Sequence, residues 1–474
     1  MSIGVQIVKK ILIETEITNT APLSIASGKT DDITDVLVVK DKKGNAFIPA
    51  TSIAGVLRAA IANVYDENIA NFIFGGNNDK DTQSIINISD VVMRNSKIVF
   101  RDGVALDSYS GTARNGAKYN YEAIERGAIG KLCLEFTVRG EHLKKAANVL
   151  GKDEGLFEEV AVTIANIIAS GIGFGGKTAK GFGKVNSVEE CMTYVFDFEG
   201  AKDTLAWIEY LESGTLPKHK YITDKKNPFI IDTDFKLEAD FEIKNSILIR
   251  ASYLGDDFSE EEYGLSKNHS SSNKVNAIQM SSGGDYVIPG TTIKGVIRNE
   301  AIKILSNLSN YKHDKVDEFI NELMGYSIGK KAKKSSLNVD ETYILKDDVY
   351  AIPQTRNRIN RFTGGTIGTA LFTEIPIWRK KNGIPVVKIS CSIKNCTKAQ
   401  AGLMLLILRE IWMGNLCFGG GKAVGRGSLV GVQAKINFKG KKYLLMDNDG
   451  NFIKETDRSE LESYVNALVG EMDG

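Results

Sequence analysis

IPATSIAGVLRAA, residues 48–60, returns as IPGTTIKGVIRNE, residues 288–300, and that second occurrence decides how the chain is organised. Two further stretches repeat in the same order. SGTARNGAKY from Ser110 returns more loosely as TGGTIGTALF from Thr363, and FGGKTAKGFGKV from Phe174 returns as FGGGKAVGRGSL from Phe418. The three pairs stand 240, 253 and 244 residues apart, a near-constant spacing that chance matches would not keep, so the chain is a tandem duplication of one domain.

Each copy reads alike. An N-terminal strand (residues 6–18; 236–251) leads through a polar loop to an Ile-Pro that opens a helix. Ile53, Val56, Leu57, Ala60, Ile61 and Val64 follow helical spacing in the first copy, as do Ile293, Val296, Ile297 and Ile304 in the second. Thr51 or Ser52, and Thr291 or Thr292, are candidate caps. A β-rich middle, a second helix (about 156–169; 398–413), a glycine loop and a closing strand complete the copy. This order predicts an α+β fold of two tandem ferredoxin-like, RNA-recognition-motif-like domains with long insertions. The expected boundaries are residues 1–200 and 234–438, with a linker at 201–233 and a tail at 439–474 ending in a short helix.

Composition suits such a reading. Among 474 residues, 42% are hydrophobic and 25% charged, the balance of a folded, water-soluble protein, and the length suggests two domains. No apolar run reaches bilayer length and the N-terminus alternates like a strand, so we expect a cytoplasmic protein without a membrane partner. Cys133, Cys191, Cys391, Cys396 and Cys417 form no C-x-x-C pair and are expected to be reduced thiols; the four histidines are scattered, which argues against a multi-histidine metal centre. A net charge of +1 gives no overall attraction to nucleic acid. Local clusters exist at Lys330, Lys331, Lys333 and Lys334 and at Arg356, Arg358 and Arg361, and solvation or phosphate contact explains either.

Residues 171–178 spell G-x-x-x-x-G-K-T, the pattern of a nucleotide phosphate loop. Such a loop needs a strand before it and a helix after it. Here the helical pattern EEVAVTIANIIAS precedes the glycines and a turn and strand follow, while the second copy has Gly420-Gly421-Lys422 followed by alanine. A nucleoside-triphosphate hydrolase using Lys177 is therefore disfavoured. The glycines serve either as a helix C-cap and turn or as a backbone-amide nest for another phosphate.

The Ile-Pro helix start, the middle S/T-G loop and the Phe-Gly-Gly…Gly-x-Gly loop, in this order and twice, resemble the RAMP superfamily of CRISPR-associated proteins. The likeness is greatest to backbone subunits of type III effector complexes, in a double, III-D-like arrangement. The resemblance implies binding to guide (CRISPR) RNA and target single-stranded RNA alongside other type III effector subunits. It carries guide contacts onto Ser52, Arg58, Gly175, Gly176, Lys177, Lys180, Gly181 and Gly183 in the first copy. In the second they fall on Thr292, Lys294, Arg298, Gly419, Gly420, Lys422, Gly425, Arg426 and Gly427. Backbone amides, hydroxyls and cations of this kind hold a register on RNA without reading its sequence.

It also implies β-hairpin thumbs at residues 101–121 (Arg101, Tyr109, Arg114) and 356–372 (Arg356, Arg358, Phe362). In type III subunits that cut target RNA, an aspartate in a pattern like Asp-x-Pro-Val-x-x-Asp precedes the Ile-Pro motif. TDVLVVKDKKGNAFIPA puts Asp35 on that aspartate and Asp41 on the second, with Leu37 replacing proline; Asp31 and Asp32 are rival positions. The resemblance makes cleavage metal-dependent, Mg²⁺ or another divalent cation being held at Asp35 while the target's 2′-hydroxyl attacks the adjacent phosphate. The second copy has Asn276 at or beside that position, which predicts a weak or inactive cutter; Asp256, Asp257 or His269 would serve if the register has shifted. A non-catalytic scaffold of the same complex is the alternative.

Overall fold

The computed structural model describes residues 6–32, 34–76, 83–107, 112–151, 155–216, 234–251, 275–329, 331–368, 372–381, 384–446 and 455–473. The chain divides into two compact units. One comprises Met1–Val99, Glu122–Thr178 and Gly183–Ile231; the other comprises Phe100–Tyr121, Ala179–Phe182 and Asp232–Gly474. Two short segments of the first repeat thus belong to the second unit.

The first unit is built on a sheet in which Ile86–Ile88, Ile129–Arg139, Ile7–Asn19, Lys184–Ser187 and Ile172–Gly173 are neighbours in that order, with Met192–Asp197 also paired to Ile7–Asn19. The second unit has Leu337–Val339, Val387–Ile393, Phe235–Ile243, Leu429–Phe438 and Lys441–Met446 in order. Numbering the shared strands of each repeat by chain position gives the antiparallel order 2-3-1-4 in both. With one helix after strand 1 and another after strand 3, this is the ferredoxin-like β-α-β-β-α-β arrangement. The α+β class and the tandem organisation stand.

Helices cover one face of each sheet; the second repeat's central strand alternates between core and periphery, whereas in the first Ile11, Leu12 and Ile13 are buried in succession. FKLEADFEI, Phe235–Ile243, buries every second residue. The helix Ala50–Val64 turns Ile53, Leu57 and Ile61 inward, and Gly290–Leu308 buries Ile293, Ile297, Ala301 and Leu305. Each such isoleucine or leucine contributes about 1.5–3 kcal/mol on burial. Val64, at the helix end, is exposed.

Three segments differ from the expectation. The second repeat's first strand stops at Ile243 because the chain then leaves the sheet and runs beside its glycine loop, where Leu248 bridges Gly419. Residues 201–216, read as linker, include a helix, Ala201–Ser213. Its Trp207 packs on Phe196 with ring centroids 5.1 Å apart, covering the other face of the first sheet; residues 217–233 lie outside the described residues. In the stretch read as a tail, Lys441–Met446 extends the second sheet, and the helix Glu455–Asp473 buries Leu461, Tyr464, Leu468 and Met472 in the second core. No helix among the described residues is long and apolar enough to cross a membrane.

Candidate functional site

The loop before the first Ile-Pro helix holds the candidate catalytic carboxylates. Asp31, Asp32 and Asp35 are all exposed. Asp31 closes a turn, its carboxylate accepting from the Thr34 amide at 2.5 Å. Asp41, the second aspartate of the pattern, is a turn former: its carboxylate accepts from the amides of Lys43 and Asn45, both at 2.8 Å, and from the Asn45 side chain. Those bonds from Asn45 hold its carboxyl below the ordinary range and engage both oxygens. The loop is pinned from beneath by buried Glu122, which accepts from the Val38 amide at 3.0 Å and from Lys40 Nζ at 3.2 Å. Glu122 carries no motif, and its role emerges only from the pairing.

Strand pairing fixes the equivalence between repeats. Ala26 bridges Val38, and the Val39 amide donates to Ile25 O at 2.9 Å; in the second repeat Arg250 bridges Gln279, and the Met280 amide donates to Ile249 O at 2.7 Å. Counting back from these matched bonds sets Asn276 opposite Asp35. Asn276 Oδ1 accepts from the Thr373 amide at 2.9 Å. Asp256, Asp257 and His269 lie outside the described residues.

No group of three or more His, Cys, Asp or Glu side chains among the described residues forms a metal cage. An exposed carboxylate such as Asp35 still suits Mg²⁺, which commonly takes one or two protein carboxylates and completes its shell with water and phosphate oxygens.

Both Ile-Pro helices begin without a side-chain cap: Pro49 and Pro289 occupy the N-cap, and Ser52 and Thr292 lie inside the first turn, each amide donating to the proline carbonyl at 2.9 Å. The capping reading of Thr51, Ser52, Thr291 and Thr292 is therefore corrected, because proline supplies the required extended φ,ψ. In the first repeat the Ala50 amide instead donates to Asp90 Oδ1 at 2.7 Å. Arg58 donates to Glu67 and Asn71, and Arg298 is exposed.

Lys294 does not face outward as a phosphate contact would require. It is 6% exposed, and its ammonium donates to Ser335 Oγ at 2.7 Å, Leu337 O at 2.8 Å and Ala179 O at 3.2 Å. Burial, with Lys180 and Arg298 nearby, pushes its pKa down to about 7.

The glycine loops follow one plan. A helix precedes each and a strand follows, the reverse of a nucleotide phosphate loop. Gly175 and Gly419, Gly181 and Gly425, and Gly183 and Gly427 all have positive φ, as do the matched residues Lys177 and Gly421. The Gly176 amide donates to Ser24 O and the Gly420 amide to Leu248 O, both at 2.8 Å; the Gly183 and Gly427 amides donate to Pro22 O and Ser246 O, both at 2.7 Å. A Cβ on Gly175 would stand 2.5 Å from Ser24 O, and one on Gly183 or Gly427 would overlap the carbonyl of Phe174 or Phe418. These glycines permit a close backbone crossing, and the amides of Gly176, Gly183, Gly420 and Gly427 are spent on it rather than held open as a nest. Lys180 is half-buried and Lys422 exposed.

Arg426 is corrected too. Its guanidinium, 2% exposed, donates to Glu374 Oε2 at 2.6 Å and to Gln354 Oε1 at 2.7 Å. The bridges Leu23 to Ile124 and Ile247 to Ile377 make Tyr121 the counterpart of Glu374, and the glycine loop makes Phe182 the counterpart of Arg426. The first repeat's pair is aromatic, its rings 5.8 Å apart; in the second, a buried ion pair fills the same place.

Of the hairpin residues, Arg101 is buried in the second unit, donating to Met280 Sδ at 2.7 Å with Glu341 beside it, so it anchors the hairpin rather than presenting a surface. Arg114 is exposed, and Tyr109 lies outside the described residues. In the second repeat Arg356 donates to Gln354, Arg358 is exposed, and Phe362 stands 95% exposed on a turn closed by Asn360.

The RAMP superfamily model matches residues 16–186 and 246–430. The chain belongs to the RAMP superfamily. Its two RAMP regions coincide with the two ferredoxin-like repeats. Among solved structures, this RAMP protein is similar to a chain of the Type III-B Cmr-beta complex bound to cognate target RNA, with a TM-score of 0.30 and 10% identity over 37% of this chain and 96% of that one. A chain of the same complex in its apo state gives a TM-score of 0.29 and 10% identity over 38% and 98%. No curated protein matches.

Proposed function

We propose that this RAMP protein is a guide-RNA-binding backbone subunit of a type III CRISPR effector complex and that it cuts complementary target RNA once, at Asp35. The observation that carries the reading is the matched register: an exposed carboxylate on a pinned loop in the first repeat, and the amide of Asn276 at the same place in the second.

Asp35 would accept a hydrogen bond from the target's 2′-hydroxyl and aim that oxygen at the adjacent phosphorus. The 2′-oxygen then bonds to phosphorus as the 5′-oxygen leaves, its proton passing to water and the leaving oxygen gaining one, so that a cyclic phosphate and a 5′-hydroxyl result. A divalent cation held by Asp35, with Asp31 and Asp32 as neighbours, would neutralise the phosphate's developing charge. Guide RNA would run past the first turns bearing Ser52 and Thr292 and past exposed Arg298 and Lys422, with exposed Arg358 on the second thumb hairpin. With sequence recognition left to base pairing, contacts to phosphate and sugar suffice.

Asp35→Ala in the purified effector complex tests this. Guide binding should persist while one end-labelled cleavage product, from a fixed position, disappears. Survival of every product would make the chain a non-catalytic scaffold, and loss of a second product on Asn276→Ala would place a cutting role in the second repeat.

A further inference from the structure

The second unit contains two copies of a docking segment, one seated on a helix start and the other exposed. Its segment Ala179–Phe182 lies on the start of the helix Gly290–Leu308. A Cβ on Gly290 would overlap the Lys180 carbonyl, lying 2.7 Å from its carbon and 3.0 Å from Val339 O. Lys294, one turn on, donates to Ala179 O, and a Cβ on Gly181 would stand 2.5 Å from the Glu341 amide nitrogen. The seat therefore demands a helix that opens on glycine and carries an ammonium four residues later.

The matching segment of the second repeat is Ala423, Val424, Gly425 and Arg426. Ala423, Val424 and Gly425 are exposed, Val424 at 55%, and the nearest atom to a Cβ on Gly425 is Asn245 Nδ2 at 3.7 Å. Buried Arg426 holds this loop in shape through Glu374 and Gln354.

A second copy of the chain offers two Ile-Pro helices. Its Gly290 seat is filled by its own Ala179–Phe182. Its other helix has Ala50 where glycine is required and Ala54 where the ammonium is required, and Asp90 already holds the Ala50 amide. Ala50's methyl group would meet the docking carbonyl, and Ala54 offers it no donor.

We propose that residues 423–425 are a docking surface for a different protein, one whose helix opens on Pro-Gly with a lysine or arginine four residues on, and that a second copy of this chain is excluded from it. The inference stands on the repeat geometry alone and is independent of any RNA chemistry.

The test uses full-length chain without RNA. Wild-type protein is immobilised and probed with wild-type protein and with the Ala50→Gly/Ala54→Lys double variant, whose folding is checked by its urea midpoint. The double variant should bind at least tenfold more tightly than wild type, and Val424→Arg in the immobilised chain should abolish the gain. Wild-type self-association sensitive to Val424→Arg would overturn the exclusion. A folded double variant that gains no binding would overturn the surface.

Discussion

Gly427→Ala separates a glycine loop kept for steric reasons from one kept as an amide nest. Gly427 has a φ of +85°, and an added Cβ would overlap Phe418 O and approach Phe418 N to 2.8 Å. The left-handed backbone alone costs a non-glycine residue about 1–2 kcal/mol, and forcing a carbon against packed backbone adds about 1–3 kcal/mol. The expected loss is thus about 2–5 kcal/mol, a large part of the roughly 5–15 kcal/mol that holds a domain folded. Gly440→Ala is the control, since Gly440 has the same φ of +85° with nothing within 4 Å of a Cβ and lies in the same unit. Urea unfolding would be followed by tryptophan emission in a Trp207→Phe background, which leaves Trp378 and Trp412, both in the second unit. Gly427→Ala should lose about 1–3 kcal/mol more than Gly440→Ala. Equal losses, with guide-RNA affinity falling only in Gly427→Ala, would refute the steric account and restore the nest.

Glu374→Ala should destabilise the second unit by about 3–5 kcal/mol because it strands the buried Arg426 guanidinium; Glu374→Tyr with Arg426→Phe, the first repeat's pair, should lose less in urea melts than either single change. Lys294 has a folded pKa below that of the unfolded side chain, so above about pH 7 the unfolded state binds more protons. The second unit's stability should therefore rise with pH between that value and about 10.4, by at most about 1.4 kcal/mol per unit, and Lys294→Met should remove that part of the slope.

The duplication and the ferredoxin-like order were legible because a repeat reports equivalent positions without any knowledge of contacts, and because burying one sheet face imposes a period that survives in the residues themselves. The rejection of a nucleotide phosphate loop needed only the order of helix, glycine and strand. The counterpart of Asp35 was also legible: the matched bridges arrive at the same Asn276 that direct alignment suggests.

The charged residues were misread where position on a motif stood in for exposure. Lys294 and Arg426 lie beside residues that do face outward, yet each side chain is buried on acceptors contributed by segments far away in the chain, Ser335 and Leu337 for one and Gln354 and Glu374 for the other. Glu122, which pins the loop that bears Asp35, and Trp207, whose helix covers a sheet face, belong to no motif. The sequence by itself determined the repeat and the order of elements, since these depend on periodicity and on local propensity. Only the tertiary structure decided which cations are free to meet a phosphate and why Gly290 differs from Ala50, because burial and close approach are properties of residues that meet only when the chain is folded.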